Sequence, residues 1–385
     1  MKFLPLLWSN LKRKKVRSIL TVAAITVAFI LFGYLAAVRM AFSGGVEVSG
    51  VDRLLTIHKV AIIQPLPVSY KDRIAAVEGV ERVTHMNWFG GVYQDPKNFF
   101  AQMAVDSESF LDLYPEYVLS EEQKKAWLAD RSGAIVGRVT ADRFGWKVGD
   151  KVPLQAVAYR HPDGTDIWEF NISAIYEGAK QATDTSGFYF HYDYLNEGTG
   201  GDLGFVGWYG LRIADPARAK EISERIDALF ANSPAETKTQ TEKALAQSFA
   251  NQIGSIGKIV SFILAAVFFT ILLVAGNTMA QSVRERTGEL GVLKTLGFSH
   301  GQVLGLVLAE SCLVSFLGGA LGLAIGWALI TGLGDPTKGQ LPVFFFPGRD
   351  IAIGVALALV LGLVTGTLPA VQAMRLRIVD ALRRA

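Results

Sequence analysis

The sequence predicts a membrane α-helical protein of four transmembrane helices, with a large α+β extracytoplasmic domain inserted between helices 1 and 2. Three observations carry this prediction: four long runs without a charged side chain, an uneven distribution of Lys and Arg around them, and a segment between the first two runs in which strand and helix patterns mix. Composition fits. Half the residues are hydrophobic, mean hydropathy is +0.30, and 39 glycines follow no period of three, which excludes a disordered or collagen-like chain. The single cysteine, Cys312, rules out an intrachain disulfide and a Cys-based zinc site.

Ile19 to Val38 is 20 residues long without a charge, and Ile259 to Met279, Ser311 to Leu333 and Ile351 to Met374 are 21, 23 and 24. A hydrocarbon core about 30 Å thick needs about 20 residues of helix, since only a helix satisfies its own backbone polar groups there. One such run is compatible with a buried helix of a large soluble protein; four argue for a membrane. Ala41, Phe42 and Ser43 resemble a small-x-small cleavage site after the first run. Secretory apolar regions run only about 7 to 15 residues, so the first run is read as an uncleaved anchor.

Positive charge orients the spans. Lys2, Lys12, Arg13, Lys14, Lys15 and Arg17 precede the first, Arg284, Arg286 and Lys294 lie between the second and third, and Arg375, Arg377, Arg383 and Arg384 follow the fourth. These three segments are assigned to the cytoplasm of a bacterial inner membrane. The expected organisation is a cytoplasmic N-terminus (1–18), helix 1 (19–41), a periplasmic domain with stalk helices (42–257), helix 2 (258–280) and a cytoplasmic segment (281–302). Helix 3 (303–333), a short periplasmic loop (334–350), helix 4 (351–374) and a cytoplasmic C-terminus (375–385) complete it. The formal charge of +3 conceals this asymmetry: 42–257 holds 21 basic and 29 acidic residues, whereas the cytoplasmic segments hold 13 basic and three acidic.

Within 42–257, Arg53 to Val60 alternates like a strand, and Ser69 to Val77 reads as a helix capped by Ser69 and closed by Gly79. Further strands are expected at Phe99–Val105, Ala134–Val136, Lys151–Val157, Phe170–Tyr176, Gly187–Tyr192 and Trp208–Ile213, with an amphipathic helix at Pro216–Phe230. The absence of βα regularity favours α+β over a doubly wound sheet. Glu242 to Lys258 is helical in pattern and leads without proline into helix 2.

No G-x-x-x-x-G-K-[ST], G-x-S-x-G or H-E-x-x-H occurs, so the chain is expected to be neither a nucleotide-binding subunit nor an enzyme, with no metal or cofactor of its own. His161 to Asp166 (HPDGTD) reads as a turn rather than part of a metal site with His191 and Asp193. Tyr189, His191, Tyr192 and Tyr194 read as an exposed aromatic strand edge in preference to a ligand surface. Gly318, Gly322 and Gly326 in helix 3, and Gly354, Ala358, Gly362 and Gly366 in helix 4, recur every four residues, a spacing that lets helix backbones approach closely, within one chain or between subunits. Glu310 is an intramembrane acid, costly unless it reaches the interface or pairs with a base such as Arg375 or Arg17; structural pairing and a role in coupling both fit. Gln281 to Gly297 mixes charged and apolar residues as an amphipathic helix, either a solvated or membrane-surface helix or a docking surface.

The segment M-x-x-S-V-R-E-R-x-x-E-L-G-V-L-K-x-L-G at Met279 to Gly297 resembles the cytoplasmic coupling segment of MacB/FtsX-type ABC transporter permeases. Glu310 falls at that family's acidic position, and Pro369-Ala370-x-x-Ala373-x-Arg375 followed by Asp380-Ala381-Leu382-Arg383 is similar to its ending. Ala134 to Gly137 and Phe144 to Asp150 (FGWKVGD) are similar to its periplasmic core-domain signature. The resemblance implies a permease subunit that couples ATP hydrolysis by a separate ATPase, which would bind ATP and Mg, to motion of the periplasmic domain. It implies a second permease copy in a homodimer or pseudo-dimeric pair, with a periplasmic adaptor and an outer-membrane channel as optional partners. It places ATPase contacts on Arg284, Glu285, Arg286, Glu289, Leu290, Lys294 and Leu296. Export or extraction of a hydrophobic or periplasmic substrate is the first functional expectation. The alternatives are an FtsX-like device that activates a periplasmic partner such as a cell-wall hydrolase, and a lipoprotein-releasing permease. Membrane lipids are implied as surroundings and no nucleic acid as a partner.

Overall fold

The computed structural model describes residues 15–48, 50, 52–252, 254–333 and 343–376, with side chains of 42–48 and 249–258 left aside. Along the chain, α1 (Lys15–Val48) leads to β1 (Arg53–His58), β2 (Leu66–Pro67), α2 (Tyr70–Ala75), β3 (Val80–Trp88), β4 (Gly91–Val92), β5 (Gln102–Val105) and α3 (Ser107–Leu113). There follow β6 (Tyr117–Val118), α4 (Glu121–Ala129), β7 (Gly133–Gly137), α5 (Arg138–Phe144), β8 (Lys151–Ala156), β9 (Ile167–Gly178), β10 (Phe188–His191) and α6 (Tyr192–Gly198). The remainder is β11 (Phe205–Val206), β12 (Trp208–Ile213), α7 (Ala219–Leu229), β13 (Thr237–Thr241), α8 (Glu242–Gln252), α9 (Gly254–Glu285), α10 (Thr287–Thr295), α11 (His300–Leu333) and α12 (Gly348–Arg375).

One compact unit is built from the long helices. α1, α9, α11 and α12 are each long and apolar enough to cross a membrane, and they coincide with the four predicted runs. α1 and α11 run parallel: a Cβ built on Gly318 would meet Ile25, one on Gly322 would lie 2.5 Å from the Thr26 carbonyl oxygen, and Gly326 faces Ile30. α11 and α12 run antiparallel, since Gly354 faces Leu323, Gly319 faces Ala358, Gly362 faces the Cys312 backbone and Gly366 faces Ser311. The four-residue repeats therefore serve contacts between helices of one chain. Phe29, Phe32, Phe268 and Phe346 interlock by ring edges, and Ser311 and Thr365 share a buried hydroxyl contact at 3.0 Å. Ion pairs fasten the helix ends: Arg17 to Glu285 at one end and Arg39 to Asp350 at the other, both at 2.8 Å.

The other unit is an α+β domain around an 11-stranded sheet of order β13-β1-β12-β3-β5-β10-β7-β9-β8-β4, with β6 paired to β9 off this path. Only β5·β10 and β7·β9 are parallel; the other pairs in that order are antiparallel, as expected of α+β rather than a doubly wound fold. Alternation along the central strands divides two cores. Leu54, Val136, Phe188 and Phe190 face one that includes Ile222 and Ile226 of α7. Leu55, Ile135 and Tyr189 face the other, with Phe110 of α3 and Trp127 of α4. The FGWKVGD motif has a plain physical basis. Gly145 closes α5 at φ +71°, Trp146 packs among Tyr93, Phe100 and Phe144, and Gly149, at φ +95°, donates its N–H to the Ile172 carbonyl. Gly137 ends β7 where a Cβ would collide with the Thr185 backbone.

Several expectations need correction. The aromatic strand is interior: β10 lies between β5 and β7, and Tyr189, His191 and Tyr192 are buried, because a strand covered on both faces shows no polar alternation. Ser69 precedes α2 but its side chain makes no cap bond. The 99–105 strand begins only at Gln102, and the nine-residue β3 was not foreseen. The 161–166 segment, by contrast, is a turn as expected: Asp163 accepts from the Thr165 amide at 2.9 Å and His161 stacks on Trp168. α8 ends at Gln252 and α9 begins at Gly254; Ile253 between them lies outside the described residues, as do 1–14, 334–342 and 377–385 of the expected termini and loop.

Candidate coupling site

The predicted amphipathic segment divides between two helices. α9 continues through Glu285, so Arg284 and Glu285 occupy its last turn, and α10 begins at Thr287 with Arg286 at the junction. At the far end Gly297, at φ +96°, reverses the chain, a conformation that favours glycine. Ser299 and Gln302 then cap α11 reciprocally: the Gln302 amide donates to Ser299 Oγ at 3.3 Å and the Ser299 amide to Gln302 Oε1 at 2.8 Å.

α10 is seated on a small apolar core of its own. Leu290, 2% exposed, packs with Val283, Val303, Val307, Ala370 and Ala373. The alanines of the Pro369-Ala370-x-x-Ala373 ending are wholly buried in the same cluster, which joins α12 to residues of α9, α10 and α11. Two charged side chains reinforce the seat. Arg286 donates to Glu310 Oε2 at 2.8 Å and to Glu289 Oε2 at 3.3 Å. Lys294, 8% exposed, donates to the carbonyls of Met374 at 2.8 Å and Leu376 at 2.7 Å, satisfying acceptors at the C-terminal end of α12.

The seven residues singled out for docking thus have different surroundings. Arg284 and Glu285 are exposed, and Leu296 is 73% exposed. Arg286 and Glu289 are half-buried, while Leu290 and Lys294 point into the chain's own packing. Val292, 47% exposed beside Leu296, adds an outward apolar residue that charge-led reading passed over. Glu310 is paired, but with Arg286 rather than Arg375 or Arg17; Arg17 instead meets Glu285. The reason is the bend at residue 286, which turns the guanidinium back toward α11. Among the described residues no group of three or more His, Cys, Asp or Glu could hold a metal ion.

Residues 260–378 match the FtsX-like permease C-terminal family, a span that takes in α10, Glu310 and α12. Over nearly the whole chain, 98% of it and 96% of the relative, the sequence is 23% identical to an ABC transporter permease of Methanocaldococcus jannaschii. It is 33% identical to the macrolide export ATP-binding/permease protein MacB of Nitrobacter winogradskyi over 32% of this chain and only 19% of that protein's length. The periplasmic region of MacB from Actinobacillus actinomycetemcomitans overlies 53% of this chain and 94% of its own at 13% identity, with a TM-score of 0.37.

Proposed function

This chain is an ABC transporter permease of the FtsX/MacB type, and from that premise we propose that it carries force from a separate cytoplasmic ATPase, received at α10, to its inserted domain. The observation that carries the reading is the combination within the family-matched region of an outward face and a fixed back. Arg284, Val292 and Leu296 are exposed on a short segment whose other side is held by Leu290, Lys294 and the Arg286–Glu310 pair. A docking helix has to be both accessible and stiffly attached to transmit displacement. ATP and Mg would be held by the partner, since this chain has no phosphate-binding loop.

Orientation follows from charge: Lys15, Arg17, Arg284, Arg286, Lys294 and Arg375 cluster at the helix ends joined by the Arg17–Glu285 pair, which supports a cytoplasmic α10 and an inserted domain on the opposite side. The work done there is export or extraction of a hydrophobic or periplasmic substrate, by a pair of permease copies. An adaptor and outer-membrane channel join where the cargo must leave the envelope. A large inserted domain with its own double core favours cargo handling over a purely regulatory role. The test is Glu289→Lys in the assembled complex. Loss of stimulated ATP hydrolysis, or hydrolysis without outward work, is expected; unchanged ATPase co-purification and unchanged stimulation would remove α10 from the docking surface.

A further inference from the structure

The inserted domain starts and finishes on neighbouring strands. β1 follows α1, β13 pairs antiparallel with β1 from Leu54↔Thr241 to His58↔Thr237, and α8 begins at Glu242 directly after β13. Arg53, the first residue of β1, is 6% exposed. Its guanidinium is divided between two carboxylates. Nε donates to Glu242 Oε2 at 2.6 Å, while Nη1 and Nη2 form a fork on Glu116 at 2.9 and 2.6 Å. Nη1 also reaches the Leu113 carbonyl at 3.3 Å, and the guanidinium carbon lies 4.7 Å from the Tyr114 ring centroid. Five donors in a planar fork make this division possible, whereas a lysine ammonium is a single point of charge.

The two acids belong to different parts of the domain. Glu116 lies between α3 and β6, beside the Phe110–Tyr114–Tyr117 core. Glu242 opens α8, the helix after which the chain continues into α9. Among the described side chains α8 is further held by Leu245, which packs partly against that core, by the Ala244 amide, which donates to Thr241 Oγ1 at 3.1 Å, and by the Gly50 backbone, which donates to the Glu242 carboxylate. Burial pushes the Glu242 carboxyl upward, opposed by the Arg53 charge. The nearby Arg212 is engaged elsewhere, with Asp52 at 3.4 Å and the Leu113 carbonyl at 3.0 Å.

We propose that Arg53 is a positioning residue that latches α8 to the body of the inserted domain, so that displacement of α8 enters the sheet through the Arg53–Glu116–Glu242 cluster. This rests on the force-carrying reading above and specifies where force enters the domain. Removing Arg53 would leave two carboxylates facing each other without their shared cation, and such a variant is liable to unfold. Glu242→Gln is the sharper perturbation, because the Glu116 fork stays whole.

The experiment is hydrogen exchange on the full-length chain with its ATPase in lipid nanodiscs, with and without ATP plus vanadate. Glu242→Gln should raise exchange across 242–252 by about tenfold, the factor for loss of one charge-assisted bond, with β7 unchanged. Nucleotide should alter exchange in α8, β1 and β12 of the unaltered protein but in α8 alone of the variant. If the unaltered protein responds and the variant's β1 and β12 respond equally, the latch is wrong while force transfer stands. If α8 of the unaltered protein ignores nucleotide, force transfer itself fails and the latch with it.

Discussion

Replacing Gly322 or Gly362 by alanine should destabilise the helical unit, whereas the same change at Gly276 or Gly305 should not. A Cβ at Gly322 would lie 2.5 Å from the Thr26 carbonyl oxygen and 2.6 Å from Phe29 Cβ, and one at Gly362 would lie 2.6 Å from Cys312 Cα. These neighbours include backbone, which cannot rotate away, so relief requires the helices to part by roughly 1 Å, a gap that forfeits about a quarter to a half of each van der Waals contact it opens. Overpacking of this kind costs about 1–3 kcal/mol, against about 1 kcal/mol regained from the better helix propensity of alanine. At Gly276 and Gly305 nothing lies within 4 Å of the added carbon, so only the propensity gain remains. Equilibrium unfolding of the purified chain in mixed micelles, followed by tryptophan fluorescence, measures all four. Alanine at Gly322 and Gly362 proving as stable as at Gly276 and Gly305 would refute the reasoning.

Two further changes test named contacts. Arg286→Met leaves Glu310, 7% exposed, without its 2.8 Å partner and should cost roughly 3–5 kcal/mol, most of it recovered in the double variant with Glu310→Gln; Arg17→Met, at a half-exposed pair, should cost under about 1 kcal/mol. A double-mutant cycle in the same unfolding assay decides this, and additive effects would count against the pairing. In the inserted domain, burial lowers His85 to about 4, partly opposed by the nearby Asp106 charge. The folded state therefore favours neutral imidazole, so its stability is whole above pH 6.5 and falls as pH drops from 6.5 toward 4, by roughly 3 kcal/mol in all. Thermal unfolding between pH 7.5 and 4.5 should show a shallower acid loss in His85→Gln, and an identical slope would exclude His85 as a source.

Legibility in the sequence tracked how local the physics was. Twenty uncharged residues declare a membrane-spanning helix by themselves, and glycine every fourth residue declares a close contact, but neither names the neighbour. β3 is illegible in the sequence because its first third, Val80 to Arg82, lies at an exposed end with charged side chains, and its covered stretch mixes polar Thr84, His85 and Asn87 with Val83 and Met86, so no apolar alternation marks it. Tyr189 to Tyr192 is ambiguous for the converse reason: aromatic and histidine side chains tolerate both surface and core, and only the flanking strands decide. On α10 the amphipathic pattern alone points the charges outward. Lys294 turns inward because carbonyls at the end of α12, some eighty residues away, need donors, and no periodicity within α10 encodes that.

The central claim, that α10 is where the ATPase takes hold, is tested most directly by a photo-crosslinking amino acid at Leu296, the exposed residue at the end of that helix, with Ile63 of the inserted domain, 89% exposed, as the comparison site. Illumination in living cells should join Leu296 to an ABC ATPase identified by mass spectrometry, and Ile63 should yield no such adduct. An ATPase adduct at Ile63, or none at Leu296 in a complex that still co-purifies with its ATPase, would contradict it.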